Sequence, residues 1–127
     1  MERWTLAAPH SKQYRLQVAS AGRGFYCRFD YAACSDPASE GLVVAAADGA
    51  GPEVVEWLPH LSRGMQAGWE QLRGEGRLLC GVRVELSAVW AHPTDTTQAG
   101  CALYAGRFVR ELFLDHCVRV AQSPSGV

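Results

Sequence analysis

From Tyr14 the chain alternates: Tyr14, Leu16 and Val18 against Arg15 and Gln17, the period of two of a half-buried strand. The small residues from Ala19 to Gly24 interrupt this pattern. Phe25, Cys27, Phe29 and Tyr31 then resume it against Tyr26, Arg28 and Asp30. This spacing predicts a β-hairpin with a glycine-bearing connection. A polar loop from Ser35 to Ser39 leads to Leu42-Val43-Val44-Ala45, a third strand.

After a loop at Gly49-Ala50-Gly51-Pro52 the period lengthens. Leu58, Leu61, Met65, Trp69 and Leu72 recur at steps of three and four, the apolar stripe of a helix lying on a sheet. Pro59 lacks a backbone N–H and fits best in a first turn. The helix is therefore expected to begin near Leu58, with Glu53 to Trp57 as a separate turn, and to end at Gly74-Glu75-Gly76. Leu78-Leu79-Cys80 lead into Val82, Val84 and Leu86, which alternate with Arg83, Glu85 and Ser87 as a strand. Asp95 stands three residues before Gln98, the spacing of a capping box. That predicts a second helix from near Thr96 to about His116, with Ala102, Ala105, Val109 and Leu112 on one stripe. The order β-β-β-α-β-α describes an α+β two-layer sandwich with both helices on one face. Residues 1–120 are expected to form one domain and 121–127 a mobile tail.

Composition narrows the classes. At 127 residues, 48% hydrophobic and 20% charged, the chain fits one ordinary globular domain. A net charge of −1 argues against binding nucleic acid by bulk electrostatics alone. Eleven arginines stand against one lysine, Lys12. Arginine forks suit phosphate, although a GC-rich genome produces the same bias. The five cysteines (Cys27, Cys34, Cys80, Cys101, Cys117) include no C-x-x-C pair, and no signal segment opens the chain. They read as reduced, mostly buried side chains of a cytoplasmic protein. A zinc site from Cys101, Cys117, His92 and His116 would match no familiar ligand spacing, so no metal or cofactor is expected. No apolar stretch approaches the ~20 residues that span a bilayer, so no membrane partner is expected.

Candidate chemistry is sparse. No hydrolase elbow, P-loop or metalloprotease motif is present, so neither a nucleotide nor an enzymatic role is expected. Gly22-Arg23-Gly24 could bring an arginine and a bare backbone to a phosphate, or could simply supply the positive φ a hairpin needs. Arg28 could extend a basic strip or be an ordinary surface residue. His92 lies in a loop between two strong elements, where binding residues concentrate. Asp95 is explained by helix capping alone. Thr94, Thr96 and Thr97 could meet phosphate oxygens at a helix N-terminus.

These residues also form a pattern. Gly22-Arg23-Gly24-Phe25-Tyr26 resembles the first-hairpin motif of elongation factor G domain IV. Trp57-Leu58-Pro59 followed by Gly64 is similar to that domain's helix start. Val82 to Leu86, then His92, Asp95 and Thr96, resemble its last strand and the loop after it. The resemblance runs from about Tyr14 to Cys117. It implies a mixed four-stranded sheet and a left-handed βαβ crossover, against the general right-handed rule. It also implies a tip that mimics a tRNA anticodon arm and enters the decoding site, with Gly22, Arg23, Gly24, Arg28, His92, Thr94, Asp95 and Thr96 as RNA-binding residues. The sequence departs from the pattern in having Phe25 where a loop glutamine is usual, Thr96 for serine, and Pro93 after the histidine. No GTPase domain is present in these residues, so no nucleotide hydrolysis carries over.

Two functions follow. One is a module that binds the small ribosomal subunit or structured RNA, chiefly through phosphate and shape. The other is a degenerate domain reused for protein interaction, even as a homodimer, with Trp4, Trp57, Trp69 and Trp90 supplying the patch.

Overall fold

The computed structural model describes residues 3–6, 8–20, 23–76 and 78–119. The predicted hairpin is β2 (His10–Ser20) and β3 (Arg23–Ser35), paired antiparallel from His10↔Ala33 to Ser20↔Arg23. β4 (Leu42–Ala46) and β6 (Val82–Ala91) complete a four-stranded sheet in the order β2-β3-β6-β4. β6 runs antiparallel to β3 and parallel to β4, so the sheet is mixed. A parallel pair needs a crossover. Helix α1 (Pro52–Gly74) supplies it, and this unit is the one to which the resemblance attaches a left hand.

One sheet face carries the core. Leu16, Phe25, Cys27, Phe29, Tyr31, Val82, Val84, Leu86 and Val89 are buried there. Leu61, Met65, Trp69 and Leu72 of α1 meet them, as the helical period requires. α2 (Gln98–Tyr104) and α3 (Gly106–His116) lie on the same face. The Phe108 ring stands edge-on to Phe29 at 5.1 Å and to Tyr31 at 4.6 Å, while Trp69 and Phe113 meet at 5.3 Å. The α+β two-layer sandwich is thus as the sequence indicates.

Four details differ from expectation. First, α1 begins at Pro52 rather than near Leu58, with Pro52 in its first turn and Pro59 inside the helix. Pro59 forfeits the bond to the carbonyl of Val55, but both residues are exposed, so water can serve that carbonyl. Second, the second helix is capped by Thr97, not Asp95. The Thr97 side-chain oxygen accepts from the Gly100 N–H at 2.9 Å. Third, that helix breaks at Ala105 into α2 and α3, where Gly106 packs against Gly68 of α1. Fourth, a second sheet exists, in which β1 (Arg3–Leu6) lies between β5 (Leu78–Leu79) and β7 (Cys117–Arg119). The tail at 121–127 lies outside the described residues.

The α1 seam is unusually close. A Cβ on Gly64 would sit 2.8 Å from the Ala105 Cβ and nearer still to the carbonyl oxygen of Cys101. One on Gly68 would lie 2.6 Å from the Gly106 carbonyl oxygen. Here glycine is required by the approach of two helices.

Candidate functional site

The hairpin and the loop after β6 converge at one end of the sheet. The Asp95 carbonyl accepts from the Tyr26 N–H at 3.2 Å. The Thr96 hydroxyl donates to the Tyr26 carbonyl and accepts from the His92 N–H at 2.7 Å. Thr96 also donates its own N–H to the His92 carbonyl at 3.1 Å. With 6% exposure, Thr96 is an internal strut whose hydroxyl is already engaged on both sides.

His92 organises the same turn. Its Nδ1 lies 3.1 Å from the N–H groups of both Thr94 and Asp95 and accepts from them. A nitrogen accepting two N–H bonds holds a lone pair, so the proton of the neutral ring is on Nε2. The Asp95 carboxylate 3.7 Å from Nδ1 therefore forms no ion pair in this state. About half of the His92 side chain is exposed, and its Nε2–H is the group free to meet a ligand.

Behind the turn is a cleft of ≈ 590 Å³, lined by Gly24, Phe25, Thr94, Asp95, Gly100 and Leu103 among others. Leu103, 70% exposed, forms an apolar rim. Gly24 pairs with Ala19 as ordinary strand, and a Cβ there would approach nothing closer than the Val18 carbonyl oxygen at 3.7 Å. Neither sterics nor positive φ explains that glycine, leaving the bare backbone beside the cleft. Gly22 and the Arg23 side chain lie outside what the structure describes. The structure thus brings Gly24, Thr94, Asp95 and Thr96 together with His92. Arg28 lies apart, on the outer face of the sheet.

That outer face is where sequence reasoning fell short. Alternation from Val82 through Leu86 carried onward would turn Trp90 inward. Between Leu86 and Ala88 the register of β6 against β3 slips by one residue, a β-bulge at Ser87. Val89 consequently takes the buried position and Trp90 turns outward, opposite Arg28. The Arg28 guanidinium stacks on the Trp90 ring at 4.1 Å, an interaction of about 0.5–1 kcal/mol at an exposed site. Arg15 pairs with Arg28 across β2 and β3, giving the row Arg15–Arg28–Trp90. A bulge is not legible from local periodicity. The outward aromatic signals it only after the register is known.

Elsewhere, the other tryptophans do not assemble a patch. Trp69 is in the core, and Trp4 and Trp57 pack against it. The Cys27 and Cys101 thiols share a hydrogen bond in the core, and that bond together with burial pushes the Cys101 thiol far above the usual range. The Tyr14 hydroxyl donates to Glu111 at 2.5 Å, and burial followed by that carboxylate holds its pKa well above 10. His10 and His116 stack with centroids 4.1 Å apart, and the His10 pKa is lowered by desolvation, then by His116 and Lys12. No group of three or more His, Cys, Asp or Glu side chains able to hold a metal occurs among the described residues. No described helix is long and apolar enough to cross a membrane.

No protein-family model matches the chain, and no curated protein matches it. Among solved structures, the crystal structure of ttk003000868 from Thermus thermophilus superposes with a TM-score of 0.63 at 18% identity. The superposition covers 93% of this chain and 18% of that one, so the chain spans about a fifth of that protein's length. At this identity the likeness is one of fold.

Proposed function

We propose that the chain is an elongation factor G domain IV-like module that binds the small ribosomal subunit or structured RNA through its tip, without nucleotide hydrolysis. The observation that carries this reading is the convergence of two sequence-distant motifs. The β2–β3 hairpin and the 92–97 loop are joined through Tyr26, Asp95 and Thr96 into one end of the molecule. That end offers what contact with folded RNA uses: the His92 Nε2–H, the Thr94 hydroxyl, the backbone at Gly24, and the arginine at position 23. Asp95 contributes through its carbonyl, and Thr96 by holding the turn.

Co-sedimentation with purified small ribosomal subunits at low and moderate salt tests the reading. Wild-type protein should pellet with the subunits, less so as salt rises, and Arg23→Ala/His92→Ala should remain in the supernatant. Failure of the wild type to pellet at either salt removes the ribosomal reading. The cleft rimmed by Leu103 would then be the place to look for a protein partner.

A further inference from the structure

Among the described residues no helix covers the outer face of the four-stranded sheet, since α1, α2 and α3 pack on the other side. Its charges are unevenly spread. At the far end Arg83 pairs with Glu85 at 3.2 Å, and midway Asp30, the next outward residue of β3 after Arg28, accepts from Gln13 at 3.2 Å. Nearer the tip stand Arg15 and Arg28, directly opposite each other, and neither has an ion pair among the described residues. Like charges opposed on one face of a sheet are destabilising. The Nε of Arg28 is shut off from solvent yet has no hydrogen-bond partner, which adds a desolvation cost. The bulge at Ser87 turns Trp90 out, where it fixes the Arg28 guanidinium in one plane. Two unpaired cations, one of them held flat by a tryptophan, lie next to Tyr26, the residue that joins the sheet to the tip.

We propose that the row Arg15–Arg28–Trp90 binds the phosphodiester backbone of an RNA strand running from the tip across the open sheet. This rests on the RNA-binding reading above and extends it by naming where the strand continues. Each guanidinium forks onto a phosphate, and Trp90 is a positioning residue that presents Arg28. Charge decides for RNA over an apolar protein partner. The apolar residues beside Trp90 on this face are mostly small (Ala32, Ala45 and Ala88, with Val43 at the far end), whereas the two charged groups near the tip that lack an ion pair among the described residues, Arg15 and Arg28, are both cations.

The test uses the full chain and two fluorescein-labelled probes, an oligouridylate of about twelve nucleotides and an RNA hairpin, read by anisotropy across a salt series. Arg15→Gln/Arg28→Gln should weaken binding about tenfold and lower the log K against log salt slope by about 1.4, since each phosphate contact on a single strand contributes about 0.7. Trp90→Leu should lose part of the affinity and Trp90→Phe should keep most of it. Arg15→Gln should leave the melting temperature unchanged or raise it, because a like-charge pair is relieved. A residue retained only for folding would show the reverse. Binding lost in Arg23→Ala/His92→Ala but untouched in the arginine double variant overturns the sheet-face proposal and leaves the tip reading standing. Loss confined to the arginine double variant overturns the path from the tip and leaves the face alone as the place where the strand binds. Competition by polyglutamate as effective as by unlabelled RNA, at equal charge and ionic strength, overturns the assignment to RNA. So does failure of the wild type to bind either probe, with co-sedimentation remaining the separate test of the tip.

Discussion

Gly64→Ala sets two physical effects against each other. In a helix interior, alanine is preferred to glycine by about 1 kcal/mol, so propensity alone makes the substitution stabilising. Against this, the new methyl would lie 2.8 Å from the Ala105 Cβ and closer still to the Cys101 carbonyl oxygen. Both belong to α2 and its boundary, and a carbonyl locked in a helix cannot swing aside as a side chain can. The helices must part by several tenths of an ångström, an overpacking cost of about 1–3 kcal/mol and more when backbone is involved. The clash wins. The expected net loss is about 2 kcal/mol, a fall in melting temperature on the order of 8 °C for a chain of this size. Gly74→Ala is the internal control, since nothing lies within 4 Å of its Cβ position and it sits at the exposed end of α1. It should stabilise by about 0.5 kcal/mol. Urea unfolding followed by circular dichroism reads both changes. A Gly64→Ala protein as stable as wild type would refute the close seam, and with it the claim that α1 fixes the position of α2. Amide exchange gives the functional half: parting the helices moves the Thr97 cap, so the amides of His92, Thr94, Asp95 and Thr96 should lose protection.

The remaining predictions concern single interactions. Thr96→Val keeps the shape but removes the hydroxyl and with it the bonds from the His92 N–H and to the Tyr26 carbonyl, so it should cost about 1–3 kcal/mol in urea unfolding and loosen the 92–97 turn. A neutral result would mean that the hydroxyl is not the strut. Because the folded state lowers the His10 pKa, the unfolded chain binds more protons below about pH 6.5 and stability falls as pH drops through that range. His10→Gln should flatten the acid limb of a plot of melting temperature against pH; an unchanged limb would clear the His10–His116 stack of any part in it. Tyr14 is the opposite case: its raised pKa means stability is complete below about pH 10 and declines above it as the unfolded tyrosine ionises. Tyr14→Phe should make that alkaline decline shallower, and a decline as steep as before would count against the Glu111 bond.

Much of the fold was legible because it is local. The alternation from Tyr14 to Tyr31 gave the hairpin, and the stripe from Leu58 to Leu72 gave the buried face of α1. What escaped was non-local or ambiguous in local chemistry. β1, β5 and β7 are two to four residues long, and each exists only through partners far along the chain. Pro59 reads as a helix start because local sequence does not say that its missing bond falls on the solvent side. Asp95 and Thr97 are both acceptable caps, and the choice went to the residue whose backbone was not already committed to Tyr26. At the tip, the pairing of His92 with the hairpin followed from order along the chain and the resemblance. The role of its Nδ1 as a turn-holder needed coordinates, as did the outward turn of Trp90.

The small second sheet has a mechanical meaning. β1 and β7 run side by side, with Trp4 opposite Arg119 and Leu6 opposite Cys117, so the first and the last described strands lie at one place. That place adjoins β5, just ahead of the start of β6, and the 92–97 loop follows the other end of that ten-residue strand. At about 3.3 Å per residue, roughly 30 Å of rigid sheet separates doorway from tip. Whatever is joined at the doorway, by fusion or by insertion into a host loop, attaches at the end of the sheet away from the 92–97 loop and leaves that loop unobstructed.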